Sequence, residues 1–136
     1  MKQIWIVDDD DEMAHAIMLM LKLLDCSARH FLNARLAAKE LLDGRHPDLM
    51  ILDISMPEVT GIMMLEFVRR RPEWKDLPVI MLSSEATDVQ IDEAIGLGAD
   101  AYVTKPVSID ELEAFADSLL APSAQIVFSR RELGPR

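Results

Sequence analysis

The stretch at residues 49 to 57, Leu49-Met50-Ile51-Leu52-Asp53-Ile54-Ser55-Met56-Pro57, decides the fold. Four apolar residues run directly into one aspartate, and a loop follows. Because an uninterrupted apolar run is typical of a strand buried on both faces, we expect residues 48–52 to form a strand of a parallel sheet. The carboxyl ends of such strands are where open α/β sheets bind ligands. Asp53 is therefore predicted at the mouth of a ligand-binding crevice.

Four further apolar runs, each followed by a helical pattern, surround this strand. Asp10 or Asp11, Asn33 and Ser108 are predicted helix N-caps, because their side chains accept hydrogen bonds from free backbone N–H groups. Strands alternating with helices favour a parallel sheet covered on both faces, since right-handed crossovers place helices there. Strands are predicted at 4–7, 28–31, 48–52, 79–82 and 100–103, with helices at about 11–24, 34–42, 61–70, 86–97 and 109–119.

Composition places the chain among globular domains and argues against one class of partner. The 136 residues are half hydrophobic and 28% charged, which fits one folded domain with its own core. The formal net charge is −10, with 24 acidic residues against 14 lysines and arginines. Binding to nucleic acid phosphates needs a basic surface, so direct nucleic-acid binding by this chain is not expected.

The single cysteine, Cys26, excludes an internal disulfide and fits a reducing, cytoplasmic location. No apolar run is long enough for a signal peptide or a membrane span, so membrane association is not expected. We expect the domain to occupy residues 1–121. Residues 122–136 form a C-terminal tail with three arginines, interpreted as a linker or as the truncated start of an output domain.

Polar groups with a common chemistry follow four of the predicted strands. The first strand ends at Asp8 and Asp9, the third at Asp53, the fourth at Ser83 and the fifth at Lys105. In a parallel sheet these ends share one edge, so the side chains can converge. Three carboxylates suit a hard cation such as Mg²⁺, and a lysine with a hydroxyl suits the oxygens of a phosphoryl group. Aspartate can itself accept a phosphoryl group. The residues thus indicate phosphoryl transfer onto Asp53.

The sequence resembles the response-regulator receiver domains of two-component signalling over residues 2 to about 120. Each motif is weak alone, but the set is specific in this order and at these spacings. The motifs are Val7-Asp8-Asp9, Leu52-Asp53-Ile54-Ser55-Met56-Pro57 with Gly61, Leu82-Ser83-Ser84, and Tyr102-Val103-Thr104-Lys105-Pro106.

The resemblance implies a flavodoxin-like, doubly wound (βα)5 fold with a five-stranded parallel sheet in the order 2-1-3-4-5. It implies a signalling switch that accepts a phosphoryl group from a sensor histidine kinase or a histidine phosphotransfer protein. Such a domain is not a classical enzyme, although it catalyses its own phosphorylation and slow dephosphorylation. An output partner, not identified by the sequence, reads the changed surface around the fourth helix, last strand and last helix. A homodimer through that face is a further expectation.

The resemblance also implies a role for each site residue. Asp53 is the phosphoacceptor, and Lys105 pairs with the phosphoryl group. Mg²⁺, for which Mn²⁺ can substitute, is held by Asp9 directly, by Asp8 mainly through water, by Asp53, and by the backbone carbonyl of Ser55. The remaining roles fall to the switch residues Ser83 and Tyr102, to Ser55 and Ser84 beside the route of the hydrolytic water, and to a cis peptide between Lys105 and Pro106. On phosphorylation Tyr102 is expected to turn inward.

Some assignments stay open at this point. The run of four aspartates allows the metal pair to shift by one residue, although Asp8 and Asp9 follow Val7 as the family pattern does. The three histidines share no metal-ligand spacing and are interpreted as structural or surface residues. Most of the nine methionines are interpreted as core residues, whereas Met56 is considered as part of a partner-facing surface.

Two alternative functions need residues that this chain lacks at the required positions, and a third is compatible with its residues. A Mg²⁺-dependent phosphatase of the haloacid-dehalogenase type would need a second acid two residues after the nucleophile, where Ser55 stands. A nucleotide-binding Rossmann domain would need a glycine loop after the first strand, where aspartates would repel phosphates. A fragment of a longer regulator with a DNA-binding or enzymatic domain is the alternative that the residues do not exclude.

Overall fold

A computed structural model describes residues 1–85 and 87–119. Five strands alternate with five helices, as predicted. In chain order the elements are β1 (Lys2–Val7), α1 (Asp11–Leu23), β2 (Cys26–Phe31), α2 (Ala34–Leu42), β3 (Leu49–Asp53), α3 (Gly61–Arg70), β4 (Val79–Ser83), α4 (Asp88–Gly96), β5 (Ala101–Thr104) and α5 (Ile109–Leu119). The strands pair in parallel in the order β2-β1-β3-β4-β5, which confirms the flavodoxin-like fold.

The predicted bounds differ from the structure mainly at strand ends. β1 and β2 each begin two residues earlier than predicted, because Lys2 and Gln3 pair with Cys26 and Ser27. These residues join the sheet without being apolar, so hydropathy does not show them. β3 is shifted by one residue and includes Asp53. The phosphoacceptor candidate is thus the last residue of the strand and shares its burial.

Alternate residues of the strands pack into two cores, one on each face of the sheet. In β1, Ile4 and Ile6 face a core formed with α1 and α5, whereas Trp5 and Val7 face a core formed with α2, α3 and α4. Every residue of β3 and β4 is buried, as expected of central parallel strands. Met56 is buried in the second core, so its interpretation as a surface residue is wrong.

Side-chain caps fix where the helices begin. Asp10 caps α1 by accepting hydrogen bonds from the N–H groups of Glu12 and Met13, and Asn33 caps α2. Ser108 and Glu111 bond reciprocally at the start of α5, which is a capping box. Thr60 and Thr87, not predicted as caps, are the N-caps of α3 and α4.

Two predictions fall partly or wholly outside the described residues. The end of the domain at residue 121 and the tail at 122–136 lie beyond residue 119.

None of the five described helices combines the length and hydropathy that a membrane-crossing segment needs.

Gly61 lets α3 begin directly against the end of β3. Its N–H donates to the carbonyl oxygen of Ile54 at 2.9 Å. A Cβ added at Gly61 would lie 2.2 Å from the backbone oxygen of Asp53 and 2.7 Å from the Cα of Ile54. Backbone atoms cannot yield to such a contact, so this position requires glycine. The close approach sets the path of the loop that leaves Asp53.

Gly61→Ala is therefore expected to lower the free energy of unfolding by about 1–3 kcal/mol, the range typical of overpacked positions. Gly96→Ala is the matched control, because its Cβ would meet nothing within 4 Å and its backbone needs no positive φ. That change should be neutral or stabilise by up to about 1 kcal/mol. Urea unfolding of both variants measures the difference; equal effects would contradict the close contact at Gly61.

Candidate functional site

The turn after β1 directs Asp8 into the protein. Asp8 is fully buried, its N–H donates to the carbonyl oxygen of Phe31 at 3.0 Å, and its Oδ1 accepts from the N–H of Asp10 at 3.0 Å. Asp9 follows it and is exposed. Asp10 is occupied as the cap of α1, which leaves Asp8 and Asp9 as the pair that faces the sheet edge.

Asp53 completes a cluster of three carboxylates. One oxygen from each of Asp8, Asp9 and Asp53 lies within 4.8 Å of the others, and no further cluster of three or more His, Cys, Asp or Glu with ligand geometry occurs among the described residues. β1 and β3 are neighbours in the sheet, so their ends bring the acids together. The structure thus brings Asp8, Asp9 and Asp53 together at the predicted edge of the sheet, and their role as metal ligands stays a prediction.

Lys105 reaches this cluster from β5, across β4. Its Nζ lies 3.3 Å from Asp8 Oδ2 and 3.2 Å from Asp53 Oδ1. Its backbone N–H donates to the carbonyl oxygen of Ser83 at 2.8 Å, which fixes the start of the loop. The peptide bond between Lys105 and Pro106 is cis, as predicted.

The charges of the site do not balance. Burial, followed by the nearby Asp8 carboxylate, raises the pKa of Asp53 to about 6, although Lys105 opposes the shift. The pKa of Lys105 is also raised, because Asp53 and Asp8 outweigh the effect of its burial. Three carboxylates against one ammonium leave about two excess negative charges at this sheet edge.

The donor set fits a hard divalent cation. Its protein ligands would all be oxygens, and the excess charge is that of two carboxylates. Asp8 Oδ2 is buried and accepts no hydrogen bond, with the Lys105 ammonium as its ion-pair partner. A buried carboxylate oxygen with a free lone pair suits a cation. Ser55, the fourth predicted ligand, lies exposed two residues beyond Asp53.

Ser83 and Tyr102 both form hydrogen bonds to the backbone of Glu85, a residue that the sequence does not single out for the switch. The hydroxyl of Ser83 accepts from the N–H of Glu85 at 3.1 Å, and the hydroxyl of Tyr102 donates to the carbonyl oxygen of Glu85 at 2.7 Å. Glu85 acts through its backbone, so no side-chain pattern could reveal it. Ser84, predicted to flank the water route, is exposed.

Tyr102 is only 1% exposed and packs in the core formed with α2, α3 and α4. Burial raises the pKa of its phenol. In this structure the ring already lies in the core, and its inward turn on phosphorylation stays a prediction. The hydrogen bond to Glu85 gives the buried hydroxyl the partner that it needs there.

Comparison with known proteins agrees with this geometry. The family model described as the response regulator receiver domain matches residues 4–117. The phosphate regulon transcriptional regulatory protein PhoB of Rhizobium meliloti is 40% identical over 88 residues, which cover 65% of this chain and 39% of that protein. The KDP operon transcriptional regulatory protein KdpE of Escherichia coli is 35% identical over 117 residues, covering 84% of this chain and 49% of that protein.

A solved structure shows the same arrangement of elements. The signal receiver domain of a signal transduction histidine kinase from Syntrophus aciditrophicus superposes with a TM-score of 0.81 at 27% identity, over 92% of this chain and 94% of that one. The two regulators are longer than this chain, which spans about half of each or less.

The raised pKa of Asp53 predicts a pH-dependent effect of Asp53→Asn. Near pH 4 the carboxyl is protonated in the folded chain and only about half ionised in the unfolded chain, so the substitution changes stability little. Above pH 6 it is ionised in both, and the folded chain holds an unfavourable charge that asparagine removes. Without metal, the variant should therefore gain stability as the pH rises, by up to about 3 kcal/mol at pH 7.5.

Urea unfolding in EDTA at pH 4 and pH 7.5 measures this gain. Asp117→Asn, at an exposed position of α5, is the control and should show no comparable change between the two pH values. A loss of stability for Asp53→Asn at pH 7.5 would contradict the charge imbalance.

Proposed function

We infer the function from one premise: the chain belongs to the response regulator receiver domain family. We propose that it is a phosphorylation-controlled switch whose phosphoacceptor is Asp53. The observation that carries this proposal is the buried Asp53 carboxylate beside Lys105 and within reach of Asp8 and Asp9. The phosphoryl donor is a phosphohistidine of a sensor histidine kinase or a histidine phosphotransfer protein.

The proposed reaction moves one phosphoryl group between two side chains. A carboxylate oxygen of Asp53 attacks phosphorus, the bond from phosphorus to the donor imidazole breaks, and the imidazole leaves with the electron pair and takes a proton from water. Lys105, held between Asp8 and Asp53, stabilises the charge on the phosphoryl oxygens. Asp8, Asp9, Asp53 and the Ser55 carbonyl would hold Mg²⁺, or Mn²⁺ in its place, which supplies further charge neutralisation.

Ser83 and Tyr102 are the proposed switch residues, and both bond to Glu85. A phosphoryl oxygen on Asp53 would attract the Ser83 hydroxyl, which now accepts from the N–H of Glu85. Because Tyr102 donates to the carbonyl of the same residue, a change at Ser83 alters the anchor of Tyr102. The ring is already buried, so the phosphoryl group would shift populations around this arrangement and not create it.

Hydrolysis resets the switch, and access of water sets its rate. Ser55, two residues beyond Asp53, and Ser84, next to Ser83, are small and exposed. We propose that they leave the route of the attacking water open. The chain thus catalyses its own phosphorylation and slow dephosphorylation without being a classical enzyme.

The receiver domain is proposed to span residues 1–121, with 122–136 as a tail or linker, in a cytoplasmic protein. A second candidate is the receiver portion of a longer regulator with a DNA-binding or enzymatic output domain. It is favoured by the regulators reported above, of which this chain covers only 39% and 49%. The acidic chain itself is not expected to contact DNA.

The face formed by α4, β5 and α5 is the proposed output surface. From the start of α4 to the end of α5, residues 88–119, the sequence has eight acidic residues and one basic residue, Lys105, which is engaged at the phosphoacceptor site. In a symmetric homodimer through this face, acidic helices would oppose each other, which costs free energy. These charges favour an output partner with a basic surface over the homodimer that the resemblance implies.

Acetyl phosphate with Mg²⁺ should add one phosphoryl group to this chain, as measured by intact mass. The adduct should be absent in Asp53→Asn and in EDTA, and retained in Asp117→Asn. An adduct that persists in Asp53→Asn would show that another residue is the acceptor. No adduct in the unchanged chain would contradict a working receiver.

Lys105→Ala should still bind Mg²⁺ but fail to switch. Tyr102 is the only tyrosine, so 3-fluorotyrosine gives one ¹⁹F resonance that reports on the switch alone. We expect acetyl phosphate to shift this resonance in the unchanged chain and to leave it in place in Lys105→Ala, whereas calorimetry should find Mg²⁺ binding in both. A normal shift in the variant would refute the role given to Lys105.

A further inference from the structure

His30 makes a contact with the metal-site loop that its position in the sequence does not reveal. It is the last but one residue of β2, and its side chain is largely buried. Its Nε2 lies 2.7 Å from the backbone oxygen of Asp8. A carbonyl oxygen can only accept, so Nε2 carries the hydrogen and donates it.

This hydrogen bond completes the anchoring of the Asp8 backbone. The N–H of Asp8 donates to the carbonyl oxygen of Phe31, and the carbonyl of Asp8 accepts from His30. Both polar groups of Asp8 are thus tied to the end of β2. The peptide plane between Asp8 and Asp9 cannot turn without breaking the second bond. Since the Asp9 side chain projects from the far end of this plane, its direction depends on the His30 contact.

The other ring nitrogen faces a different group. His30 Nδ1 lies 3.7 Å from Asp11 Oδ1, and this carboxylate is exposed. His30 also lines an open cavity of about 480 Å³ together with His15, Asp11, Glu12 and Met18. Of the two histidines in this cavity, only His30 is bonded to the backbone of a proposed metal ligand. Its effect on Asp9 therefore depends on the Nε2 donor and not on occupying the cavity.

We propose that His30 is a positioning residue for divalent-cation binding: by fixing the Asp8–Asp9 peptide it holds the Asp9 carboxylate toward Asp8 and Asp53. This inference rests on the proposed function, in which these acids bind Mg²⁺. Outer groups that orient metal ligands commonly change metal affinity by 10- to 100-fold when removed. We expect an effect near the lower end, because one backbone hydrogen bond is involved.

Three substitutions at His30 distinguish the effect of losing the Nε2–H donor from the effect of changing the shape of the side chain. His30→Leu fills space but cannot donate. His30→Gln can place an amide N–H as many bonds from Cβ as the imidazole Nε2 is, whereas His30→Asn is one bond shorter. His15→Leu is the control, since His15 lines the same cavity and is exposed. The Gln and Asn pair keeps the comparison valid if the Leu variant does not fold.

Calorimetric titration of the full chain with MgCl₂ gives the first readout. We expect about tenfold weaker Mg²⁺ binding for His30→Leu and His30→Asn, recovery to within about threefold for His30→Gln, and no change for His15→Leu. The rate of phosphorylation by acetyl phosphate gives the second readout. In His30→Leu the half-saturating Mg²⁺ concentration should rise about tenfold, while the rate at saturating Mg²⁺ stays near that of the unchanged chain.

Mg²⁺ binding unaltered in both His30→Leu and His30→Asn would overturn the proposal, and so would equal losses in His30→Gln and His30→Asn, which would indicate a role in shape alone. Failure of the unchanged chain to bind Mg²⁺ would instead count against the proposed function. Urea unfolding in EDTA checks that each variant is folded before titration.

Discussion

Asp8 and Asp53 are two carboxylates buried side by side, with one ammonium group, that of Lys105, within ion-pair distance of both. Burying a charge is unfavourable unless a partner offsets it, and one lysine cannot fully offset two acids and the adjacent Asp9. The pKa of Asp53, raised to about 6, reflects this uncompensated negative charge together with the burial of the carboxyl. A site with uncompensated negative charge attracts a cation, and a cation in turn makes the approach of an anionic phosphoryl donor feasible. The imbalance is thus the property on which the chemistry depends.

The fold creates this imbalance by placing the ends of non-consecutive strands together. β1 and β3 are neighbours, so Asp8 and Asp53 meet although 45 residues separate them along the chain. Lys105 follows β5, which β4 separates from β3, and its long side chain spans the gap. The path beyond Asp53 is equally constrained, because α3 starts against its backbone and only glycine fits at residue 61. Small changes in the packing of these ends would alter distances within the charged cluster.

The sequence predicts those features that repeat or that concentrate chemistry at strand ends. The five apolar runs predict the strands of the sheet. The carboxylates, the hydroxyl and the lysine that follow these runs predict the candidate site. Exposed strand ends such as Lys2 and Gln3 are not predicted from hydropathy, because they join the sheet by backbone pairing alone. The surface position expected for Met56 is wrong because the side chain of a loop residue can still pack in the core. The sequence does not predict the contact of Tyr102 with Glu85 or that of His30 with Asp8. In both contacts the acceptor is a backbone oxygen, which every residue has.

Because these contacts use backbone atoms, the side chains at the same positions can differ in charge without breaking them. The hydrogen bonds that link Ser83 to Tyr102 use the N–H and the carbonyl of Glu85, so they make no demand on the Glu85 side chain. That side chain lies on the surface, as do the acids of α4 and α5. Chemistry can therefore stay constant in the interior while the charge of the surface changes to suit a partner. With eight acidic residues against one lysine between residues 88 and 119, the surface that carries α4, β5 and α5 would disfavour acidic partners and its own copies without any change to the cluster of Asp8, Asp53 and Lys105.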